Sequence, residues 1–315
     1  MYFSLLVGIC CFAKRIYNCF MRFIQSILRG IGQVFFQNNI FSGILFLVGI
    51  FYNSWLLGLA ALFGTVISTT TAQVLRFSKA DIENGLYGFN GTLTGIAILY
   101  FFEFNFISVF ALLLGSVFST LVMHFLKKII PPFTFPFVLT TWLIMSIFLL
   151  FLEIPLLSSS QSLTNIIDIL SVSSNSFGQV MFQENIVTGV FFLLAILVNN
   201  RLMAVYAVYA VILGSLTGWA LSEAVTSINS GFMGYNAILC AIALTGKSWK
   251  DLLWVSVAIV LSTLLKIWLT QMGIITLTAP FVLATWTVLI LKNPKSIRRG
   301  INKRLYFRSS QNSEY

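Results

Sequence analysis

Long apolar stretches, separated by short polar turns, run along most of the chain. In the first half, hydropathy predicts apolar segments near 40–52, 55–75, 104–126 and 133–152, with a shorter one at 86–101. The second half repeats this arrangement near 186–198, 201–221, 251–270 and 280–292, with a short segment around 232–246. These segments are too long and too continuously apolar for alternating barrel strands, so they predict membrane-spanning helices.

Composition and charge agree with a membrane protein. Charged residues make up 9% of the chain and hydrophobic residues 58%, whereas roughly a quarter of a soluble domain is charged. We therefore predict an all-α polytopic membrane protein. The net charge of +10 comes from basic residues at the two ends and between apolar segments, which indicates membrane topology and not nucleic-acid binding. There is no Walker loop, no GxGxxG and no Cys/His metal spacing, so neither a cofactor nor a metal is expected.

The chain contains an internal duplication. The block GQVFFQNNIFSG returns as GQVMFQENIVTG, with eight of twelve positions identical. Three blocks return in the same order, at offsets of 146, 146 and 144: Gly32–Gly43 as Gly178–Gly189, Leu86–Leu93 as Phe232–Leu239, and Phe133–Trp142 as Leu277–Trp286. Two homologous units are thus predicted, with the function where they meet.

The distribution of Lys and Arg predicts how the units are oriented. Basic residues precede the first unit and follow the second, whereas the linker at 153–177 holds only Glu153 and Asp168 as charged residues. Both termini are therefore expected in the cytoplasm and the linker outside. An odd number of crossings per unit, most simply five, then makes the units two inverted repeats of about five helices each, with short re-entrant helices and a pore at their interface.

The predicted organisation has five parts. The apolar start of the chain is followed by Lys14 and Arg15, whereas a cleavable signal carries its charge before the apolar stretch. We therefore expect an uncleaved, membrane-associated N-terminal segment. The boundaries are 1–24 for this segment, 25–152 for the first repeat, 153–177 for the linker, 178–292 for the second repeat and 293–315 for a basic cytoplasmic tail.

Two glutamines open the first pair of repeated blocks inside apolar surroundings. Gln33 and Gln179 each place a buried amide there, and such a group costs several kcal/mol unless it finds partners. One interpretation is that each glutamine ties neighbouring helices together. The other is that its neutral carbonyl lines a pore for an uncharged solute that carries N–H groups.

Aromatic and hydroxyl residues recur in register as well. Phe36 and Phe89 are 53 residues apart, and Phe182 and Tyr235 repeat that spacing, with Leu93 and Leu239 one helical turn further on. The four rings are either ordinary packing residues or two pairs that form flat, dry slots, which a planar solute crosses and a hydrated ion does not. Thr134 and Thr278 precede prolines by two residues; they either cap the proline break or lie at the middle of a shared pathway.

These motifs resemble the urea transporter family that bacteria share with vertebrate kidney and red cells. The resemblance rests on Gly32–Asn39 with Ser42 and Gly43, on Gly85–Leu93 and on Phe133–Phe137; with the second-half copies it covers about residues 25–290. It implies a homotrimer in a plasma membrane (the inner membrane, if bacterial), with one pore per protomer and passive conduction of urea through two aromatic-walled sites. Neither a cofactor nor nucleic acid is implied.

By motif position, the resemblance implies one site from Gln33, Phe36, Phe89 and Leu93, another from Gln179, Phe182, Tyr235 and Leu239, and a constriction at Thr134 and Thr278. Two residues depart from plain repetition. Tyr235 adds a hydroxyl to a ring, and Glu184 stands where the first half has Asn38. Both departures bear on selectivity among urea, other amides and ammonia.

Other functions fit the sequence less well. A channel or carrier for another small neutral or weakly basic solute is the nearest alternative. Paired pore histidines are missing, since His124 is the only histidine, and so are Asn-Pro-Ala boxes. An ion-coupled carrier needs an intramembrane carboxylate, and the candidates Glu184 and Glu223 lie at segment ends. A membrane enzyme is not predicted, because the sequence has no grouping of His, Cys, Ser and carboxylate residues at a spacing that suits catalysis.

Overall fold

The computed structural model describes residues 2–157 and 166–292, which form helices and turns without a strand. The first half contains α1 Tyr2–Gly32, α2 Ile40–Asn53, α3 Trp55–Val74, α4 Lys79–Glu83, α5 Gly88–Phe101, α6 Phe106–Leu126 and α7 Phe135–Ser146, which continues as a π-helical turn, Ile147–Phe151. The second half contains α8 Ile169–Gly178, α9 Ile186–Asn199, α10 Arg201–Ala220, α11 Val225–Asn229, α12 Tyr235–Leu244, α13 Trp249–Gln271 and α14 Ala279–Lys292.

The two halves repeat the same order of helices, and their turns repeat the same backbone conformations. Left-handed φ angles recur at corresponding positions: Phe36 and Phe182 at 60° each, Phe133 and Leu277 at 47° each, Arg76 and Ser222 at 53° and 59°, Gly85 and Gly231 at 72° and 79°. A residue with a side chain seldom adopts positive φ, so this coincidence shows that the duplication extends to the turns.

Polar side chains at equivalent positions start the helices. Asn39 accepts hydrogen bonds from the first turn of α2, and Asn185 does the same for α9. Asn105 and Ser248 form capping boxes at the starts of α6 and α13. A side-chain acceptor satisfies N–H groups that the helix itself leaves unpaired, which explains why these short polar residues interrupt the apolar sequence.

The predicted all-α polytopic membrane class is confirmed. Four described helices, α3, α6, α10 and α13, are long and apolar enough to span a bilayer. Two further apolar pairs are sharply bent, by 75° between α1 and α2 and by 73° between α8 and α9. Counting each bent pair as one span gives up to six among the described residues, so ten crossings remain a prediction.

Reciprocal hydrogen bonds join the halves where α2 packs against α9. Ser42 Oγ donates to the Ala195 carbonyl at 2.7 Å, and Thr188 Oγ1 donates to the Gly49 carbonyl at 2.9 Å. Each donor is the other's equivalent, and so is each acceptor. Such reciprocity is the mark of a two-fold interface, so the halves are related by a pseudo-two-fold axis.

The same relation holds for two amide pairs. Asn199 Nδ2 donates to Gln37 Oε1 at 2.7 Å, and Asn53 Nδ2 donates to Gln183 Oε1 at 2.8 Å. Both glutamines are fully buried, and buried amides are satisfied only in a fixed arrangement. These bonds therefore fix how one half sits on the other.

The predicted boundaries fall within or beside helices. Helix α1 runs through the 24/25 boundary without interruption, and α8 begins at Ile169, inside the predicted 153–177 linker. The predicted basic tail, 293–315, lies outside the described residues. The five-part division therefore stays a prediction.

Candidate functional site

A tight turn ends both α1 and α8 and presents a phenylalanine. Each helix continues into one 3₁₀ turn, Gln33–Phe35 or Gln179–Met181, after which Phe36 or Phe182 adopts the left-handed conformation with φ of 60°. The turns are closed by the N–H of Phe36 and of Phe182, which donate to the carbonyl three residues earlier at 3.0 and 3.2 Å. A strained residue of this kind costs about 1–3 kcal/mol and is typical of functional sites.

Both phenylalanine rings reach across to the opposite half. The ring of Phe36 lies 6.1 Å, centre to centre, from Phe281 on α14, and the ring of Phe182 lies 6.3 Å from Phe137 on α7. Both contacts are edge-to-face. Phe137 and Phe281 are themselves equivalent positions. Each aromatic cluster is thus built from both halves, as expected for a site at the repeat interface.

The predicted ring partners lie on the next repeated helices, α5 and α12. Phe89 and Tyr235 sit in their first turns with 5% and 7% exposure, and Leu93 and Leu239 follow one turn later with none. Among the described residues, the centres of contacting aromatic rings are 3.7–6.4 Å apart. Neither Phe36 with Phe89 nor Phe182 with Tyr235 is among these contacts. The rings of each predicted pair are therefore not stacked on one another, and the two pairs stay a prediction.

The hydroxyl of Tyr235 is engaged by the protein itself. It donates to the Leu277 carbonyl at 2.6 Å and lies 3.1 Å from Thr276 Oγ1. Leu277 has a φ of 47°, so this bond supports a strained turn just before α14. The hydroxyl that distinguishes Tyr235 from Phe89 thus has a structural partner.

The two repeated glutamines are half-buried or buried, and their amide nitrogens are held by neighbours. Gln33 Nε2 donates to the Asn84 carbonyl at 3.0 Å, and Gln179 Nε2 lies 3.5 Å from Glu184 Oε2. Because the protein contacts each amide through its nitrogen, the carbonyl oxygen is the atom available to accept a hydrogen bond from a solute. Gln33 also joins α1 to the loop before α5, so the tying role holds for it as well.

The departure at Glu184 changes a polar bridge without removing it. In the first half, Asn38 Nδ2 donates to Asn84 Oδ1 at 2.9 Å. In the second half, Glu184 and Ser230 occupy the equivalent positions, and the Ser230 hydroxyl donates to Glu184 Oε1 at 2.6 Å. Glu184 is exposed. One site is therefore bordered by a neutral bridge and the other by a carboxylate.

The two threonines meet at the centre of the molecule. Thr134 Oγ1 and Thr278 Oγ1 lie 2.6 Å apart, and both residues are buried, at 1% and 2% exposure. A residue that touches its own equivalent lies on the pseudo-two-fold axis. Thr134 makes no side-chain capping bond to α7, so its hydroxyl serves the contact between the halves and not the helix start.

The repeated asparagines of the Gly-Phe-Asn-Gly and Gly-Tyr-Asn-Ala motifs support α7 and α14. Asn90 Oδ1 accepts from the Phe137 N–H and Asn236 Oδ1 accepts from the Phe281 N–H, both at 3.2 Å. These donors lie in the first turns of their helices, where N–H groups have no partner within the helix. The asparagines thereby fix the same phenylalanines that contact Phe36 and Phe182.

Sequence analysis missed three residues of interest. Phe137 and Phe281 carried a signal, since both lie in the third repeated block, but which half each would contact could not be known. Lys266 lies inside α13 with 6% exposure, its Nζ 5.4 Å from the ring centre of Phe232. A lysine within an apolar span is itself a signal of function.

Comparisons with known proteins identify the family of the chain. The profile of the family described as urea transporter matches residues 24–293. Urea transporter 1 of sheep is 31% identical over 91% of this chain and 82% of its own length, and urea transporter 1 of mouse is 32% identical over the same shares. Urea transporter 1 of goat is 30% identical, again over 91% and 82%. The chain belongs to the urea transporter family.

Proposed function

We propose that this protein is a channel that conducts urea passively along a path between its two halves. The observation that carries the proposal is the central pair of threonine hydroxyls, together with two equivalent phenylalanine contacts that each join a ring of one half to a ring of the other. The relatives are named urea transporters, and urea is the solute to which we assign the path.

The proposed path matches the chemistry of urea, which is flat, neutral and carries four N–H donors and one carbonyl. In a dry path each lost water contact has to be replaced, because an unmet donor costs about 1–3 kcal/mol. Phe36 and Phe182 with their predicted partners would enclose the faces of the solute, while the carbonyls of Gln33 and Gln179 take its N–H edge. Threonine hydroxyls both donate and accept, so Thr134 and Thr278 serve either edge of urea between the two sites.

Ions are excluded by the same surroundings. A cation that sheds its water needs charged or closely spaced oxygen ligands in return, and the assigned path offers neutral amides, hydroxyls and rings. Glu184 is exposed and already accepts from Ser230, so we place it at the mouth of one site. We expect flux in both directions and no dependence on proton or sodium gradients.

We propose that the two halves are inverted in the membrane. In the first half, basic residues follow the C-terminal ends of α3 and α6, as at Lys79 and Lys127, and Lys127 Nζ contacts Asp81 at 2.6 Å. In the second half they lie at the N-terminal ends of α10 and α13, as at Arg201 and Lys250. Basic residues favour the cytoplasmic side of a membrane. The C-terminal ends of α3 and α6 and the N-terminal ends of α10 and α13 lie on that same side only if the second half is inverted relative to the first.

Accessibility labelling tests the inversion. In a variant without the native cysteines, Ser78→Cys and Ala224→Cys introduce thiols at equivalent, exposed positions before α4 and α11. We expect an impermeant thiol reagent on intact cells to label Ala224→Cys and to leave Ser78→Cys protected. Labelling of both positions from the same side would contradict the inversion.

We further propose a homotrimer in the plasma membrane, with a separate pore in each protomer and both termini in the cytoplasm. The family membership supports this assembly. Native mass spectrometry of the protein in mild detergent should give a mass three times that of the protomer. A monomer that conducts urea at the full rate per protomer would contradict the assembly and leave the pore assignment intact.

Stopped-flow urea flux into proteoliposomes tests the function and the site together. Gln33→Leu removes a carbonyl at roughly constant volume; if this adds about 1.4 kcal/mol to the barrier, flux falls about tenfold. Phe36→Ala opens the ring cluster, so discrimination between urea and larger amides should fall more than flux does. Phe41→Leu is the matched control, because Phe41 is 69% exposed; we expect its flux within a factor of about two of the parent, a barrier change of less than ~0.5 kcal/mol.

Three results would contradict the proposal. No flux above that of empty liposomes would remove the function. Accumulation of urea against its gradient, driven by protons or sodium, would indicate a carrier. Equal losses in Gln33→Leu, Phe36→Ala and Phe41→Leu, after correction for the amount of protein inserted, would mean that the motifs maintain the fold and do not line the path.

A further inference from the structure

A groove with basic walls lies beside α1, and none of its lining residues is among those assigned to the proposed path. Five polar residues of α1 follow one another at spacings of four, four, three and four, which places them on one face of the helix: Lys14, Asn18, Arg22, Gln25 and Arg29. They line two adjoining cavities of about 510 and 530 Å³, whose opposite wall includes Lys79 and Glu83 of α4. The polar face of α1 therefore borders a space large enough for a ligand.

The groove carries more positive charge than its carboxylates balance. Glu83 is the acidic residue in its lining, against Lys14, Arg22, Arg29 and Lys79. Its carboxylate is 3.8 Å from Arg22 Nη1 and 4.0 Å from Lys79 Nζ, so both ion pairs are long. Within the described part of the chain, Arg29 Nε is buried and has no hydrogen-bond partner.

The second half shows that the fold does not require these charges. Arg29 Nη1 donates to the Glu83 carbonyl at 3.0 Å, and at the equivalent place Asn175 Nδ2 donates to the Asn229 carbonyl at 2.9 Å. The backbone at this point is equally close in both halves, since a Cβ on Gly85 or on Gly231 would lie 2.3 Å from a backbone nitrogen. A short neutral amide is thus enough to make this structural hydrogen bond, and the Nε–H group of Arg29 remains available to bind a ligand.

The other basic residues of the groove have no counterparts either. The positions that correspond to Arg22 and Lys79 hold Asp168 and Val225. The groove is therefore a property of one half only, whereas the turns, caps and interface bonds are shared by both. A feature that one copy of a duplicated fold lacks is not needed to form that fold.

We propose that this groove binds the phosphate of an anionic phospholipid, such as phosphatidylglycerol. Helix α4 lies just beyond the C-terminal end of the spanning helix α3, which is the depth of the lipid head groups. Guanidinium groups hold phosphate oxygens through paired N–H donors, and Arg22 and Arg29 point at the same cavity. Phe23 and Ile82 line the adjoining cavity, where they would pack against the part of an acyl chain next to the head group.

The test uses the full chain, purified in a neutral detergent, with phosphatidylglycerol or tail-matched phosphatidylcholine added. Native mass spectrometry then counts the lipids retained per protomer. We expect one phosphatidylglycerol to be retained and no phosphatidylcholine. Arg22→Gln with Arg29→Asn should weaken retention at least about tenfold, ~1.4 kcal/mol, and the asparagine reproduces the donor that the second half uses. Urea flux of this variant in phosphatidylcholine liposomes should equal that of the parent.

One control and one further groove variant make the result decisive. Lys247→Gln with Lys250→Gln removes the same charge from exposed positions before and within the first turn of α13 and should leave retention unchanged. Lys79→Gln, at a side chain that is 76% exposed, should weaken retention without disturbing the fold. Equal retention by all variants, or equal loss in both double variants, would overturn the site. Displacement of the lipid by millimolar inorganic phosphate would overturn the assignment to a lipid.

Discussion

The contact between Thr134 and Thr278 predicts a separation between stability and flux. Thr134→Val keeps the shape of the side chain and removes its hydroxyl, which leaves Thr278 Oγ1 buried, at 2% residue exposure, without its partner at 2.6 Å. A buried hydroxyl left unpaired costs about 1–3 kcal/mol, whereas removal of both partners is nearly neutral. The double variant should therefore be more stable than either single variant.

Flux should follow a different order. If each hydroxyl also bonds to urea at the constriction, the loss of one raises the barrier by about 1.4 kcal/mol and lowers flux about tenfold. The double variant lacks both hydroxyls, so its flux should stay as low as that of the single variants or fall further, although its stability recovers. Thermal midpoints in one detergent measure the stability, with a drop of about 2–6 °C expected for each single variant, and stopped-flow urea uptake measures the flux.

Thr140 supplies the control. It lies on the same helix, α7, with 1% exposure, and its hydroxyl has no hydrogen-bond partner in the described structure. Thr140→Val removes a buried hydroxyl that has no partner to lose, so the thermal midpoint should stay the same or rise, and the flux should be unchanged. Additive losses of stability in the Thr134→Val, Thr278→Val double variant would refute the reasoning, because they would mean that the two hydroxyls act independently. Recovery of flux together with stability would limit their role to packing.

Two further predictions follow from polar groups elsewhere. Asn53→Leu leaves the buried Gln183 Oε1 without the donor that lies 2.8 Å away, so unfolding should become easier by about 1–3 kcal/mol, and an unchanged thermal midpoint would show that this bond does not join the halves. Asp168 caps α8, and hydrogen bonds from the Ser171 hydroxyl and from two backbone N–H groups lower its pKa below 3.8, against a smaller opposing effect of burial. A lowered folded-state pKa means that the contribution of Asp168 to stability is present above about pH 3.8 and is lost as the pH falls further. Below pH 4, the thermal midpoint of Asp168→Asn should therefore depend less on pH than that of the parent. The same pH dependence in both proteins would contradict the assignment.

The helices themselves were largely predictable, because an apolar run in the sequence indicates a helix and a short polar residue before it indicates where the helix begins. The segment predicted at 40–52 is α2, Ile40–Asn53, and the one predicted at 55–75 is α3, Trp55–Val74. Asn39 and Ser54 mark the starts of these helices as side-chain caps. Local propensity and tertiary structure agree at such places, and this agreement makes a boundary visible in the sequence.

Side-chain direction was not predictable in the same way. The duplication indicated that Gln33 and Tyr235 matter, but not that the amide nitrogen of the first is held by the Asn84 carbonyl or the hydroxyl of the second by the Leu277 carbonyl. Nor could it reveal that Phe36 contacts Phe281 of the other half. A repeat identifies equivalent residues, whereas the choice of partner within or between copies depends on how the copies pack.

The points where the two copies differ carry information that their similarity does not. A pseudo-two-fold arrangement by itself makes the two ends of a path equivalent, as at Phe36 and Phe182, which share a left-handed backbone and an edge-to-face contact with an equivalent ring, Phe281 or Phe137. The bridge beside each ring breaks that equivalence, because the neutral Asn38 pairs with Asn84 whereas the carboxylate of Glu184 pairs with Ser230. A negative charge at one mouth attracts cations to it, while the neutral rings and hydroxyls beyond it offer a dehydrated cation no compensation. A passive path conducts a solute in either direction whatever its symmetry, so the proposed function is compatible with two mouths that differ in the solutes they attract.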